Sequence, residues 1–83
     1  MKIKQRYDKN VDAMYVEFSD KKVYKTREMA KGIIVDYDRN EYVVGVEVLD
    51  AAKRNFVFKI IKLPRTAVQF SAGRQKIQVP ISA

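Results

Sequence analysis

Apolar and polar residues alternate along most of this chain, and the alternation is clearest over residues 33–49. A period of two is typical of a β-strand with one buried face, so two such runs around polar residues 39–42 predict a hairpin. Asn40 is expected to be the left-handed residue of its turn. The apolar pairs expected across this hairpin are Ile33 with Val48, Val35 with Val46 and Tyr37 with Val44.

The same alternation recurs over residues 13–19, where Met14, Val16 and Phe18 share one face. A turn-prone polar segment precedes it, and a first strand is expected over residues 3–7. Residues 2–18 therefore form a second predicted hairpin.

Weaker strand signals lie between and after these hairpins. Residues 23–28 carry Lys and Arg at alternate positions, which suits the edge of a sheet. Residues 67–70 and 76–81 flank a small turn and predict either a hairpin or an extended arm. Pro80 excludes a central strand at its end, because proline cannot donate a ladder hydrogen bond.

The segment from Asp50 to Pro64 has a different period and allows two interpretations. Asp50 can cap a helix that Pro64 ends, with polar residues mostly on the opposite side. A strand competes, because residues 56–61 are rich in aromatic and β-branched side chains. We favour the helix on the stripe formed by its apolar positions, which are Ala52, Phe56, Val57, Ile60 and Leu63.

These elements predict an α+β fold: a small antiparallel sheet of four to five strands, one packed helix and a C-terminal β-hairpin or arm. At 83 residues the chain is one domain. Within it, residues 1–54 form the sheet core and residues 55–83 a basic extension.

The charge of the chain is unevenly distributed. All ten acidic residues lie in the first fifty positions, where ten Lys and Arg balance them, so the net charge of +7 comes from the remainder. Such a segment attracts phosphates or acidic proteins. Its interleaved Phe residues are typical of a nucleic-acid surface, but we favour a solvated face whose aromatics are buried, which produces the same pattern. The candidate binding residues are Lys53, Arg54, Lys59, Lys62, Arg65, Arg74 and Lys76.

Catalytic chemistry is not expected from this composition. The chain has neither His nor Cys, which removes the usual general base, zinc ligands and thiol nucleophile. Gly32 and Gly45 are isolated, so no phosphate-binding loop and no cofactor are predicted. Asp36, Asp38 and Glu47 would suit a cation site, but turn and surface roles explain them better.

Localisation follows from the same sequence. The absence of Cys, of a long apolar stretch and of an apolar N-terminal segment predicts a cytoplasmic protein without a membrane partner.

Several spaced segments together resemble the small prokaryotic family of unknown function DUF2283. They are YDKNVDAMYV at residues 7–16, Ser19 with Asp20, Thr26 with Glu28, GIIVDYD at 32–38 and VVGVEVLDA at 43–51. The resemblance covers about residues 1–54, and the later residues have no counterpart. It implies an antiparallel sheet followed by a short helix, with no established activity. It also implies an antitoxin-like role, in which the domain pairs with a small toxin-type ribonuclease protein.

The leading functional hypothesis is therefore a non-enzymatic protein-binding module. A small core and open strand edges also predict a homo-oligomer, with the final hairpin as an exchange arm. The rival hypothesis is a nucleic-acid-binding module that uses the basic C-terminal segment. A carboxylate-dependent hydrolase is a third.

Overall fold

The computed structural model describes residues 3–61 and 66–80, and in this part of the chain every regular element is a β-strand. The strands form a five-stranded antiparallel sheet in the order β1-β2-β5-β4-β3 and a three-stranded antiparallel sheet in the order β6-β7-β8. Their bounds are β1 Lys4–Asp8, β2 Ala13–Glu17, β3 Lys25–Ala30, β4 Ile33–Tyr37, β5 Val43–Leu49, β6 Val57–Ile61, β7 Ala67–Ala72 and β8 Gln75–Pro80.

Both hairpins predicted in the first fifty residues are confirmed. Strands β1 and β2 pair antiparallel, and β4 and β5 pair with Ile33 opposite Val48 and Val35 opposite Val46. The charged strand predicted over residues 23–28 is β3, shifted by two residues and lying at the edge of the sheet as expected. Side-chain alternation with one buried face was enough to predict these strands and the two hairpins.

The predicted pairing of Tyr37 with Val44 is wrong. A register shift between Asp36 and Tyr37 places Tyr37 opposite Val43, and Val43 belongs to the buried core cluster. Val44 is buried outside that cluster, and its carbonyl accepts hydrogen bonds from the backbone amides that follow β2. The extra residue in β5 therefore turns Val43 inward, as a β-bulge does.

The turn between β4 and β5 also differs from the prediction, because its left-handed residue is Glu41 (φ 66°) and not Asn40. The Asp38 carboxylate accepts the amide hydrogens of Asn40 and Tyr42 at 2.8 and 3.0 Å. Lys25 on β3 then holds Glu41 through an ion pair of 3.0 Å. Asp38 starts the turn as predicted, and its own hydrogen bonds decide which residue takes the positive φ.

The α+β assignment with a packed helix is wrong, because residues 50–61 form one tight turn and then strand β6. The amide of Arg54 donates to the carbonyl of Asp50, but Asn55 takes a positive φ of 54° and ends the turn there. Beyond it the burial pattern alternates, and Val57, placed in the apolar helix stripe, is 61% exposed. Aromatic and β-branched residues and pairing with β7 outweigh the single helical turn. Residues 62–65 lie outside the described part of the chain. They include Leu63, a position of the predicted helix stripe, together with Lys62, Pro64 and Arg65.

The C-terminal residues form a hairpin, which settles the choice between hairpin and arm. Strands β7 and β8 pair around the turn at Gly73 and Arg74, and Gly73 supplies a positive φ. Val68, Phe70 and Val79 are buried in the same cluster as the first sheet's core. The hairpin thus completes the core of its own chain.

An aromatic cluster joins the two sheets. Phe70 is fully buried, and its ring centroid lies 5.9 Å from that of Phe18 in an edge-to-face contact. Its centroid lies 5.8 Å from that of Phe56 and 6.0 Å from that of Phe58. Such pairs stabilise beyond the area they bury. Phe70 therefore packs against Phe18, which follows β2 of the first sheet, and against Phe56 and Phe58, which lie before and within β6.

Phe70→Ala should lower the free energy of unfolding by about 3–5 kcal/mol, because the substitution leaves a cavity between the sheets. A domain of this size is stable by roughly 5–10 kcal/mol, so the variant should be close to unfolding. Urea denaturation followed by circular dichroism measures the loss. Val57→Ala on the exposed side of β6 is the control, and equal losses for the two variants would contradict the packing described.

Candidate binding surfaces

Residues 50–56, which we call the junction segment, connect the two sheets and are fixed to both. The Asp12 carboxylate, in the turn of the first hairpin, accepts the amide hydrogens of Ala52 and Lys53 at 2.9 and 3.3 Å. At the other end the amide of Gly73 donates to the carbonyl of Arg54. The position of β6 relative to the first sheet therefore depends on Asp12.

Asp12 is held in its charged form by these contacts. Its pKa lies below the ordinary value, chiefly because of the Ala52 amide and then because the Tyr7 hydroxyl donates to it at 2.7 Å. The same hydrogen bond is the main reason why the pKa of Tyr7 is raised. Tyr7 on β1 is thereby oriented beside the junction segment.

A row of polar contacts crosses the outer face of the first sheet. Arg6 on β1 lies over the ring of Tyr15, whose hydroxyl donates to Asp36 on β4 at 2.8 Å. Thr26 on β3 donates to the other oxygen of Asp36 at 2.6 Å. Burial, and then the hydrogen bond to Asp36, raises the pKa of Tyr15. The row links β1, β2, β4 and β3 across β5, where Gly45 leaves room for the Tyr15 hydroxyl.

The candidate cation cluster is not assembled. Asp36 is engaged by Tyr15 and Thr26, and Asp38 is buried in the turn with its carboxylate on backbone amides. Glu47 pairs with Ile34 as expected. Across residues 3–61 and 66–80, no group of three acidic residues is placed to hold a metal ion. Asp38 thus contacts the backbone of its turn, and Asp36 contacts side chains of the outer face.

The five basic candidates among the described residues do not form one patch. Arg54 donates to the carbonyls of Leu49 and Ala72, both at 3.4 Å, and so connects β5 to β7. Lys53 is exposed in the junction segment and Arg74 in the β7–β8 turn. Lys62 and Arg65 lie outside the described residues. Lys59 and Lys76 remain, and these two share the outer face of the second sheet.

Two residue rows of that outer face, which cross β6, β7 and β8, form what we call the basic face. They are Val57–Ser71–Lys76 and Lys59–Gln69–Gln78. A shallow groove of about 330 Å³ is lined by five of these residues and by Phe58. A third row of the outer face, Ile61–Ala67–Pro80, is apolar. The Gln and Ser side chains were not singled out in the sequence, because their shared face appears only once the pairing of the three strands is known.

The aromatic residues of this segment point the other way. Phe56, Phe58 and Phe70 stack on one another within the core. The interleaving of Lys and Phe in the sequence thus reflects a sheet with a solvated face and a buried face.

A second surface lies where the first sheet extends past the second. The sheets approach each other at β3 and β8, whereas all five residues of edge strand β1 are exposed. Beside β1 is an apolar groove of about 240 Å³, and Tyr7 at its rim is 46% exposed. We call the groove and the edge of β1 the open flank. The groove is lined by Tyr7, Met14, Ala51, Ala52 and Phe56.

Gly45→Ala should destabilise the protein by about 1–3 kcal/mol, because a Cβ at this position would overlap the Tyr15 hydroxyl. Tyr15→Ala removes that obstacle, so the two substitutions together should cost less than their sum. A double-mutant cycle measured by urea unfolding gives the coupling. Strictly additive losses would contradict the close approach of Tyr15 to Gly45.

Asp12→Asn should destabilise the protein in a pH-dependent way. Because the pKa of Asp12 is lowered by folding, its carboxylate stabilises the native state above about pH 4, and this contribution is lost as the pH falls through the folded-state pKa. The difference in unfolding free energy between wild type and variant should therefore be largest near pH 7 and shrink towards pH 2. Asp20→Asn, in the exposed loop before β3, is the control. A difference independent of pH would contradict the role assigned to Asp12.

Comparison with known proteins places this geometry in a family. The family model described as "Protein of unknown function (DUF2283)" matches residues 4–51, more than half of the chain, and covers the whole five-stranded sheet. No curated protein and no solved structure matches the chain. None of the described segments is a helix long and apolar enough to cross a membrane. The chain belongs to the DUF2283 family of proteins of unknown function.

Proposed function

We propose that this protein is a non-enzymatic, cytoplasmic protein-binding module and that its docking surface is the open flank. The observation that carries the proposal is the position of an apolar groove next to an edge strand that is exposed along its whole length. Edge strands of this kind accept a further strand unless another element covers them.

The mode of binding follows from that geometry. A partner segment would extend the first sheet by pairing with β1, and its alternate side chains would face the two sides of the sheet. One apolar side chain would enter the groove between Tyr7 and Phe56. Backbone hydrogen bonds supply affinity in such complexes, and the groove supplies selectivity.

The charges on β1 favour a partner other than a second copy. Lys4 and Arg6 lie on the outer side of the strand, opposite Glu17 and Tyr15 in register. Asp8 lies on the same side, so the outer side of β1 carries a net charge of +1, which two copies would both present and which an acidic strand would neutralise. The partner should therefore alternate carboxylates with apolar residues. The predicted homo-oligomer remains a prediction.

The engagement of the chain's reactive groups supports a role without catalysis. Carboxylates are the strongest candidates in a chain without His or Cys, and Asp12, Asp36 and Asp38 are each used in backbone or side-chain hydrogen bonds that stabilise the fold. The family resemblance gives the partner a specific form, a small toxin-type protein that this antitoxin-like domain would bind.

Tyr7→Ser should weaken partner binding by roughly 30-fold, the size of effect seen when an aromatic anchor of about 2 kcal/mol is removed. The partner is first isolated on the tagged wild-type chain from its own host and identified. The complex is then rebuilt from the two purified proteins, and its dissociation constant is measured by titration calorimetry. Tyr24→Ser is the matched control, since Tyr24 is also an exposed tyrosine but lies beside β3 at the opposite edge.

Amide hydrogen exchange in the rebuilt complex tests the site directly. The amides on the free edge of β1 should become protected, and those of β3 should not. Protection confined to β3 or β8, or equal losses of affinity for the two tyrosine variants, would contradict the open flank as the docking surface. A dimer of the free chain that Tyr7→Ser dissociates would assign the flank to self-association instead.

A further inference from the structure

We propose that the basic face of the second sheet binds double-stranded DNA by lying in its major groove. This surface is separate from the open flank, because it is the solvent side of β6, β7 and β8 and involves none of the residues that line the apolar groove. The proposal rests on the charge, the side-chain chemistry and the dimensions of this face.

Charge complementarity is the first argument. Lys59 and Lys76 lie on the basic face, and residues 51–83 contain no carboxylate side chain. Arg74 is exposed in the turn between β7 and β8, two residues before Lys76 in the chain. The acidic residues Glu17, Asp36 and Glu47 belong to the first sheet, on the outer side that carries the Tyr15 row. A face that carries cations and no carboxylate suits phosphate binding.

The polar side chains of the face are those that recognise base edges. Gln69 and Gln78 are direct cross-strand neighbours, and Lys59 continues their row. In the major groove a Gln amide can bond adenine N6 and N7, and a Lys can bond guanine O6 and N7. Val57, which is 61% exposed, offers the apolar contact that a thymine methyl group accepts.

The dimensions of the sheet fit a major groove. Three strands at about 4.8 Å spacing are roughly 10 Å wide, and a six-residue strand is about 20 Å long. The major groove of B-DNA is about 12 Å wide and admits a two-stranded β-ribbon, so two of the three strands at a time would enter it, whereas the major groove of an RNA duplex is too narrow.

The remaining ligand classes suit the face less well. Single-stranded nucleic acid needs aromatic rings on which bases stack, and the nearby Phe56, Phe58 and Phe70 are stacked on one another in the core. Protein interfaces are depleted in Lys and enriched in aromatic residues at their centres, and this face has the opposite composition. Duplex DNA is the ligand that both observations favour.

The test uses the full-length chain and a labelled 20-base-pair duplex of mixed sequence, with binding measured by fluorescence anisotropy from about 20 to 200 mM salt. We expect a dissociation constant in the range of about 10⁻⁴ to 10⁻⁶ M at physiological salt, and tighter binding at low salt. Replacing Lys59 and Lys76 with Gln should reduce the slope of log K against log salt by nearly two, because each phosphate contact contributes about 0.9. If these lysines bond bases instead, the affinity should fall with a smaller change in slope, which equally supports the face.

The matched control replaces Lys21 and Lys22 with Gln, which removes the same charge from the exposed loop before β3. This variant should keep the affinity within about twofold. All four substituted lysines are exposed, so thermal melts of both variants should match the wild type. Gln69→Ala should flatten the preference among duplexes that differ in A·T content while leaving the salt slope unchanged.

Four results would overturn the proposal. They are absence of binding to duplex DNA at 20 mM salt, equal losses in the two double-lysine variants, tighter binding to the matching single strand than to the duplex, and binding to poly-glutamate as tight as to the duplex. The last two would assign the lysines to single-stranded nucleic acid or to an acidic protein.

Discussion

The contact between Phe70 and the first sheet is the interaction on which the rest of the structure depends. A five-stranded sheet with one apolar face cannot remain alone in water, and the second sheet covers that face through its buried residues, including Val68, Phe70 and Val79. Because the chain is short, its core is small and each large side chain in it carries a considerable share of the stability. The residues beyond position 54 are therefore part of the fold and not an appendage of the family domain.

The same packing determines which surfaces remain available. With Phe58 and Phe70 turned inward, the alternating positions Lys59 and Gln69 must face solvent. The approach of the two sheets at β3 and β8 leaves β1 exposed on the other side, where Asp12 and Tyr7 fix the edge of the groove. The core packing thus separates the uneven charge of the sequence onto two outer faces. It also leaves exposed the two surfaces proposed to bind ligands, the open flank and the basic face.

The alternation of apolar and polar residues predicted those parts of the fold that depend on the local sequence. The alternation around Val35 and Val46 gave the central hairpin and its register, since a shift by one residue would expose its whole apolar face.

The pairing of Tyr37 was missed because a bulge moves Val43 inward, and nothing in the alternation of residues 43 and 44 distinguishes them. The helix over residues 50–63 was wrong because a cap and a stripe of apolar residues were given more weight than the strand character of residues 56–61. The deciding interaction, pairing with the following strand β7, is not visible in the period of the segment itself. The basic residues were found by counting, but only the sheet shows that Arg54 binds backbone carbonyls and that Gln69 and Gln78 lie beside Lys59.

Amide hydrogen exchange measured residue by residue in the free protein tests most directly whether the two sheets share one cooperative core. The slowest amides of β7, around Val68 and Phe70, and those of β5, around Val46, should exchange with the same free energy of opening, equal to that of global unfolding. If the amides of β7 instead exchanged through an opening several kcal/mol smaller than that of β5, the second sheet would unfold independently, and a single core shared by both sheets would be contradicted.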